Sequence, residues 1–338
     1  MEASNVLPIH LSTETPSLSV VIPFYNESGN IMPLLKEVHD ALSQHEGSWE
    51  IIAVNDGSKD ATGQELETAA THFGRHLHVI EFARNFGQTA AMQCGIDAAR
   101  GEIIVTLDGD RQNDPADIPS MLRHLIDKDL DMVSGWRKNR KDAELQRKLP
   151  SRIANWIIRR ATGVTIHDYG CSLKIFRASV IKQVVLMGEM HRFIPAWVAS
   201  VTDPSRIGEV VVNHRARETG VSKYGLSRTF RVVIDLLSVF FFMRFSGKPG
   251  HFFGSLGLIA GSIGTLILCH LLALKVFWSA DIGSRPLLFT GILLVVVGIQ
   301  MLTTGVLAEM QSRHAGKQSY SVRGRSKQER AWYESAET

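Results

Sequence analysis

Short apolar runs alternate with helical patterns over the first half of the chain. The runs have the length and β-branched content of buried strands, and the segments between them repeat apolar residues at the spacing of one helix face. The predicted strands are Leu18–Pro23, Glu50–Val54, Leu77–Phe82, Ile103–Leu107 and Met132–Ser134, with later candidates at Ser172–Phe176 and Glu209–Asn213. Helices are predicted over residues 31–42 and 88–99. This alternation indicates an α/β fold with a doubly wound, mostly parallel sheet.

Two much longer apolar segments follow near the C-terminus. Phe252–Trp278 carries no charged residue before Lys275, and Leu287–Leu307 carries none. At about 1.5 Å per residue, each is long enough to cross a hydrocarbon core of roughly 30 Å. The short connection Ser279–Pro286 predicts a transmembrane helical hairpin. A pair of core helices in a soluble protein is the alternative.

Amphipathic segments lie between the predicted sheet and the two spans. Residues 145–162 combine five arginines and lysines with Trp156, which fits either a helix at a membrane surface or a helix packed on the sheet. Residues 226–250 are rich in phenylalanine and are predicted to form interfacial helices. The segment His214–Tyr224 contains a glycine and three cations. It is expected either to close over phosphates or to form a flexible surface loop.

Charge and cysteine content exclude some classes of protein. The net charge of +3 over 338 residues does not indicate a nucleic-acid binder. The three cysteines lack the spacing of metal ligands and are predicted to be reduced thiols. The N-terminus lacks the pattern of a signal peptide. Lysines and arginines flank both spans, whereas the inter-span loop holds only Arg285, so the positive-inside rule places both flanks in the cytoplasm.

Candidate chemistry begins directly after the predicted strand Ile103–Leu107. Asp108 and Asp110, with Gln112, supply hard oxygen ligands suited to Mg²⁺ or Mn²⁺. A simple Asp-Gly turn is the alternative interpretation. Other polar loops, at residues 25–27, 56 and 85, follow neighbouring strands and are expected at the same sheet edge, where α/β proteins bind ligands. Neither a P-loop nor a Gly-X-Gly-X-X-Gly motif is present, which disfavours phosphoryl transfer of that type and dinucleotide oxidoreduction.

Four motifs in this order resemble the inverting glycosyltransferases of family two: Val-Val-Ile-Pro-Phe-Tyr-Asn-Glu, Val-Asn-Asp-Gly-Ser-Lys-Asp, Ala-Arg-Asn-Phe-Gly-Gln and Asp-Gly-Asp-Arg-Gln-Asn-Asp-Pro. More narrowly, residues 18–307 are similar to the polyprenyl-phosphate glycosyltransferases. The resemblance implies a glycosyltransferase A-type fold. It also implies transfer of a sugar from a nucleotide sugar, a UDP-sugar in preference to a GDP-sugar, to polyprenyl phosphate. A role in the synthesis of cell-envelope glycans or lipopolysaccharide would follow.

The resemblance also implies roles for individual residues. It assigns nucleotide binding to Pro23, Tyr25, Glu27, Asp56, Asn85 and Asp108, and the Mg²⁺ or Mn²⁺ site to Asp108, Asp110 and Gln112. It assigns the acceptor phosphate to Arg137, Arg147 and Ser151, the donor diphosphate to Arg217, Ser222 and Lys223, and catalytic roles to Asp110 and Arg137. Asp168 is a third catalytic candidate, because it is a further carboxylate near the end of a predicted strand. Asp168 is expected to orient the acceptor or sugar in preference to acting as a base. Two departures are Asn55, where many relatives have a second Asp, and Pro150, which interrupts the acceptor helix.

The implied organisation is a flexible tail at 1–17, a catalytic domain at 18–225, interfacial helices at 226–250 and a basic cytoplasmic tail at 310–338. Within 251–309, the spans are expected at 252–277 and 287–308. We therefore expect a multi-pass protein of the inner (plasma) membrane, with its catalytic domain and both termini in the cytoplasm. The sequence leaves a homo-oligomer open. The alternatives are a processive polysaccharide synthase, although a Gln-X-X-Arg-Trp motif and further spans are missing, and an inactive membrane-bound nucleotide-sugar sensor.

Overall fold

The computed structural model describes residues 16–138, 158–160, 162–215, 241, 245, 249–279, 281–283 and 285–314. The chain divides between residues 239 and 240 into two compact units. The first contains a seven-stranded sheet with the order β3-β2-β1-β4-β6-β5-β7. Its strands are β1 Leu18–Phe24, β2 Trp49–Asn55, β3 Leu77–Glu81, β4 Ile103–Thr106, β5 Met132–Trp136, β6 Lys174–Arg177 and β7 Ile207–Val211. Strand β6 runs antiparallel to both β4 and β5, and the other pairs are parallel.

Helices cover both faces of this sheet, as expected for a doubly wound fold. The described helices of the first unit include α1 Ile31–Leu42, α2 Thr62–Phe73, α3 Gln88–Ala98, α4 Ile118–Asp127, α5 Ala178–Ile181 and α6 Ile194–Val198. Helices α1, α2 and α4 share one apolar core with alternate residues of the strands, including Leu18, Val20 and Ile22. Helix α3 packs on the other face, where a Cβ on Gly95 would lie 2.3 Å from Val21 Cγ1.

The predicted mostly parallel α/β fold is confirmed, with shifts at two strands. Strand β6 begins at Lys174 instead of Ser172, because the Ser172 carbonyl accepts a hydrogen bond from the Thr106 hydroxyl and its own hydroxyl accepts one from Asn113. Strand β7 begins at Ile207 and ends at Val211, two residues earlier than predicted. Helix α4 was not predicted. It follows the metal-type motif, by which we mean residues Asp108–Gln112.

The second unit contains two long helices, α7 Pro249–Trp278 and α8 Pro286–His314. Both are long and apolar enough to cross a membrane, by length and composition. They pack through glycines that recur every seven residues on each helix. Gly257 faces Gly298, and Gly264 faces Gly291, so closely that an added Cβ on Gly257 or Gly264 would lie 2.7 Å from the facing carbonyl oxygen. Small residues of this kind let two membrane helices approach backbone to backbone.

The atom nearest to a Cβ added at Gly257 is the backbone carbonyl oxygen of Gly298, which cannot move aside as a flexible side chain could. We therefore expect Gly257→Ala to separate the two helices and to lower the midpoint of thermal unfolding. Gly261→Ala, on the same helix, is the matched control, since a Cβ at that position meets nothing within 4 Å. Alanine raises intrinsic helix propensity equally at both positions, by about 1 kcal/mol. The two variants should therefore shift the midpoint in opposite directions in detergent. A lower midpoint for both, or for neither, would contradict the glycine contact.

Candidate active site

The two carboxylates of the Asp-Gly-Asp motif stand at the carboxyl end of β4. Gly109 lies between them, and an added Cβ there would approach Phe24 Cδ1 to 2.6 Å, so only glycine lets the turn pass over the end of β1. The Asp108 carboxylate accepts a hydrogen bond of 2.7 Å from the side-chain amide of Gln88, the first residue of α3. The Asp110 carboxylate accepts one of 3.2 Å from the backbone N–H of Gln112. The turn thus presents oxygen ligands from neighbouring residues at one sheet edge.

Burial, together with the nearby charge of Asp110, raises the pKa of Asp108 to about 6. A hydrogen bond from Ser172 and the charges of Lys174 and Arg137 partly offset this rise. Two carboxylates held together in this way repel each other unless a cation or a proton lies between them. The donor set therefore fits a hard divalent cation.

A cation at this turn would need ligands besides the two carboxylates. Among the described residues, no group of three or more histidine, cysteine, aspartate or glutamate side chains could hold a metal ion. Mg²⁺ is commonly bound by one or two carboxylates plus substrate phosphates, so this pair suffices for that type of site. The Gln112 amide is a further candidate ligand.

A buried ion pair adjoins the two carboxylates on the β5–β6 side. Arg137 follows β5, and its Nε and Nη2 donate to the two oxygens of Asp168 at 2.7 and 3.0 Å. Both side chains are largely buried, at 9% and 15% exposure. Because the hydrogen bonds and charge of Asp168 outweigh the effect of burial, the pKa of Arg137 is raised. This bidentate contact fixes the arginine and uses two of the five N–H bonds of its guanidinium, so the others can donate to an anion.

On the opposite side, Asp56 joins the loops that follow β2 and β3. Its carboxylate accepts hydrogen bonds from the backbone N–H groups of Phe86 and Gly87 at 2.7 and 2.9 Å, and from the Asn85 amide at 2.9 Å. Gly57, at φ +62°, packs against the backbone of Arg84. The structure thus brings the predicted nucleotide residues Asp56 and Asn85 together. The Asp56 carboxylate holds the loop after β3 against the loop after β2.

The other predicted nucleotide residues lie on and beyond the end of β1. Pro23 is buried within the strand, and Tyr25 is 44% exposed beside it. The Glu27 backbone N–H donates to the Thr62 hydroxyl at 2.9 Å, and the Glu27 carboxylate accepts from the Asn30 amide at 2.7 Å. The contact with Thr62 ties the β1 loop to α2, and the Asp56 backbone N–H donates to the Phe24 carbonyl at 2.9 Å, so Tyr25 borders the same edge as Asp56.

The segment after β7 runs along the metal-type motif. Asn113 and His214 form an isolated antiparallel bridge, and the Arg215 backbone N–H donates to the Gln112 carbonyl at 2.8 Å. The predicted donor-diphosphate residues Arg217, Ser222 and Lys223 lie outside the described residues, as do Arg147 and Ser151. The described chain nevertheless brings residue 215 into contact with Gln112, two residues before Arg217.

Comparison with known proteins identifies the family of the chain. A family model described as glycosyl transferase family 2 matches residues 19–185. The dodecaprenyl-phosphate galacturonate synthase of Rhizobium johnstonii is 58% identical over 299 residues, which cover 88% of each chain. The chain belongs to glycosyl transferase family 2. A second relative of this glycosyltransferase is the undecaprenyl-phosphate 4-deoxy-4-formamido-L-arabinose transferase of Pseudomonas fluorescens, at 33% identity over 90% of this chain and 86% of that protein.

Solved structures agree with the fold of this family-2 glycosyltransferase. Glucosyl-3-phosphoglycerate synthase from Mycobacterium tuberculosis, in complex with UDP, gives a TM-score of 0.51 at 18% identity over 67% of this chain and 80% of that chain. Mannosyl-3-phosphoglycerate synthase from Rubrobacter xylanophilus gives 0.51 at 15% identity, over 66% and 73% of the two chains. At this level of identity, the likeness concerns the fold alone. It confirms the predicted glycosyltransferase A-type architecture.

Lys174 is a residue of this glycosyltransferase that the sequence analysis missed. It is almost fully buried on β6, and its ammonium group donates to the Cys171 carbonyl. Burial lowers the pKa of Lys174, while the nearby Cys171, Asp168 and Asp108 act in the opposite direction. The signal in the sequence was a lysine inside an otherwise apolar strand. A buried lysine needs carboxylates nearby, and Asp108 and Asp168 are the two that the structure supplies.

Divalent-metal affinity should depend on pH through Asp108. A carboxylate binds a metal only when it is deprotonated, so apparent Mn²⁺ affinity should fall by up to about tenfold per pH unit below the pKa of about 6. The same raised pKa means that Asp108 stabilises the metal-free fold below its unfolded pKa of about 3.9, and that this contribution is lost as the pH rises through about 6. Mn²⁺ titrations by electron paramagnetic resonance between about pH 5 and 7 measure the affinity. Asp108→Asn should bind Mn²⁺ weakly at every pH. If the Mn²⁺ affinity of this variant still changed with pH as steeply as that of the wild type, Asp108 would not be the titrating ligand.

Proposed function

We propose that this glycosyltransferase moves a galacturonic acid residue from a nucleotide sugar to polyprenyl phosphate, releasing a nucleoside diphosphate. The observation that carries the proposal is the grouping of Asp108, Asp110 and the Arg137–Asp168 pair at one sheet edge. The charge of Arg137 acts on Asp108 across this edge, which supports a site for a metal ion and an anion there. The sugar and the lipid are proposed from the relatives' names, a galacturonate synthase at 58% identity and an undecaprenyl-phosphate transferase.

The roles of individual residues follow from this geometry. Asp108, Asp110 and the Gln112 amide would hold Mg²⁺ or Mn²⁺, which supplies charge stabilisation for the departing diphosphate. UDP, Mg²⁺ and Mn²⁺ are bound in related fold structures, which supports these groups as first choices. Tyr25, Asp56 and Asn85 would border the base and ribose.

The acceptor needs little activation. A phosphate monoester has a second pKa near ~6 and is largely dianionic at pH 7. One of its oxygens would attack the anomeric carbon as the bond to the diphosphate breaks, which inverts the configuration. Arg137 would orient that phosphate, and Asp168 would hold Arg137 in place. Paired bidentately with a guanidinium, Asp168 suits an ordering role better than the role of a base.

The donor is tested directly with purified protein in detergent and undecaprenyl phosphate. UDP-galacturonic acid should give a lipid product at a kcat/KM at least about tenfold above UDP-galactose, which has a hydroxymethyl group in place of the carboxylate. UDP-glucuronic acid tests the configuration at the fourth carbon. If UDP-galactose were the better donor, the galacturonate assignment would be wrong, although transfer to the lipid phosphate would stand.

We also propose that α7 and α8 anchor the protein in the inner membrane, and that the sheet edge with Asp108 and Asp110 lies in the cytoplasm. The short inter-span connection and the positive flanks support this orientation. Sealed inverted vesicles should incorporate label from an added nucleotide sugar, whereas sealed right-side-out vesicles should not. Equal labelling of intact vesicles of both kinds would contradict the orientation.

A further inference from the structure

Four charged side chains from distant parts of the chain meet beside the metal-type turn. Glu37, on α1, accepts from Arg111 Nη2 through Oε1 at 2.7 Å and from Arg215 Nη1 through Oε2 at 2.8 Å. The other arm of Arg215 contacts an Asp114 carboxylate oxygen at 2.9 Å. Arg111 and Asp114 bracket Gln112, so this chain of ion pairs encloses the turn from both ends. Glu37 has no distinguishing signal in the sequence, because a glutamate on an amphipathic helix is ordinarily a solvated residue.

The backbone needs such a restraint at this point. Arg111 lies in the left-handed region, at φ +58°, a conformation that non-glycine residues seldom adopt without support from their surroundings. It directly follows Asp110 and precedes Gln112, so its conformation sets the direction of both candidate ligands. Arg215 contacts the same turn through its backbone N–H, 2.8 Å from the Gln112 carbonyl. The Glu37 carboxylate therefore links the strained residue to the segment that follows β7.

We propose that Glu37 is a positioning residue for the metal and diphosphate site. Through Arg111 it holds the turn that aims Asp110 and Gln112, and through Arg215 it fixes the start of the segment after β7 against that turn. Glu37 touches neither substrate nor metal in this scheme. The inference rests on the proposed function, because it assumes that the turn binds a divalent cation. Partners outside the ligand set commonly change metal affinity by about 10- to 100-fold when removed.

The test is Glu37→Gln, which keeps the size of the side chain and removes its charge. Binding of Mn²⁺ with UDP, measured by electron paramagnetic resonance without acceptor or turnover, should weaken by about tenfold. The Mn²⁺ concentration for half-maximal transfer should rise in parallel, while KM for polyprenyl phosphate stays within about twofold of the wild type. Combining Glu37→Gln with Arg215→Gln should weaken Mn²⁺ binding by less than the product of the two single effects, because both act through one contact.

Asp129→Asn is the matched control. Asp129 also joins two arginines, Arg177 at 3.1 Å and Arg206 at 2.8 Å, but it lies before the start of β5, at the opposite end of that strand from Arg137. It should change thermal stability without changing Mn²⁺ binding.

Three outcomes separate the inference from the proposed function. If Glu37→Gln binds Mn²⁺ like the wild type and loses only stability, as the control does, Glu37 is structural and the inference is wrong. If wild-type protein binds no Mn²⁺ with UDP, the metal site and the inference both fail. Should Glu37→Gln not fold, Glu37→Asp keeps the charge but is too short to bridge both arginines, and it must show the same loss of Mn²⁺ affinity.

Discussion

Asp110→Asn should reduce transfer by roughly 10³-fold or more, with little change in thermal unfolding. The carboxylate stands at a polar sheet edge beside Asp108, where an amide of the same shape removes the charge that would bind the proposed cation. Removing one of two like charges relieves repulsion, so the folded protein should not be destabilised. Initial rates at saturating donor and acceptor measure the effect.

Asp97→Asn is the control for this variant. Asp97 is an exposed carboxylate on α3 that accepts a hydrogen bond from Gln93, and it should retain wild-type activity. EDTA should silence the wild-type protein, and Mg²⁺ or Mn²⁺ should restore it. An Asp110→Asn protein with more than about a tenth of wild-type activity would show that this carboxylate is not a metal ligand required for transfer.

Arg137→Lys should lower kcat/KM for polyprenyl phosphate by about 10²-fold, while KM for the nucleotide sugar stays nearly constant. Lysine keeps the charge, so Asp168 is not left buried beside a neutral group. It cannot reproduce the planar fork that donates to both Asp168 oxygens and keeps further N–H groups that would bind the acceptor phosphate. The measurement is a pair of steady-state titrations, one substrate varied at a time.

Arg177→Lys provides the comparison, because Arg177 also contacts aspartates but lies at the far end of β6. It should change neither kinetic constant by more than about twofold. A selective rise in KM for the nucleotide sugar in Arg137→Lys would instead place this arginine in the donor pocket.

Local patterns predicted the parts of the fold that local forces determine. Strand β1 is buried along its whole length, and α1 buries the predicted Leu34, Leu35 and Val38, so apolar periodicity identified both. Strand β6 was harder, because its antiparallel insertion between β4 and β5 depends on pairing with residues about 40 to 70 positions away in the chain. The start of β6 depends on side-chain bonds of Ser172 that no periodicity encodes.

The candidate site divides in the same way. Asp108 and Asp110 were found because two carboxylates follow a buried strand. Lys174 and Glu37, which contact or surround the site, could not be found from the sequence. Lys174 is identified by its burial, and Glu37 by its contacts with two arginines that lie 74 and 178 residues further along the chain. Asp168 was predicted to orient the acceptor or sugar. The structure shows its bidentate contact with Arg137, and the predicted role stays a prediction.

The central claim is that one sugar passes to a lipid phosphate. It is tested most directly by mass spectrometry of the lipid product formed by purified protein from undecaprenyl phosphate, UDP-galacturonic acid and Mg²⁺. The account predicts a lipid carrying one phosphate and one uronic acid residue, with one UDP released per product. A lipid retaining two phosphates, a growing polysaccharide, or UDP release without a lipid product would contradict it.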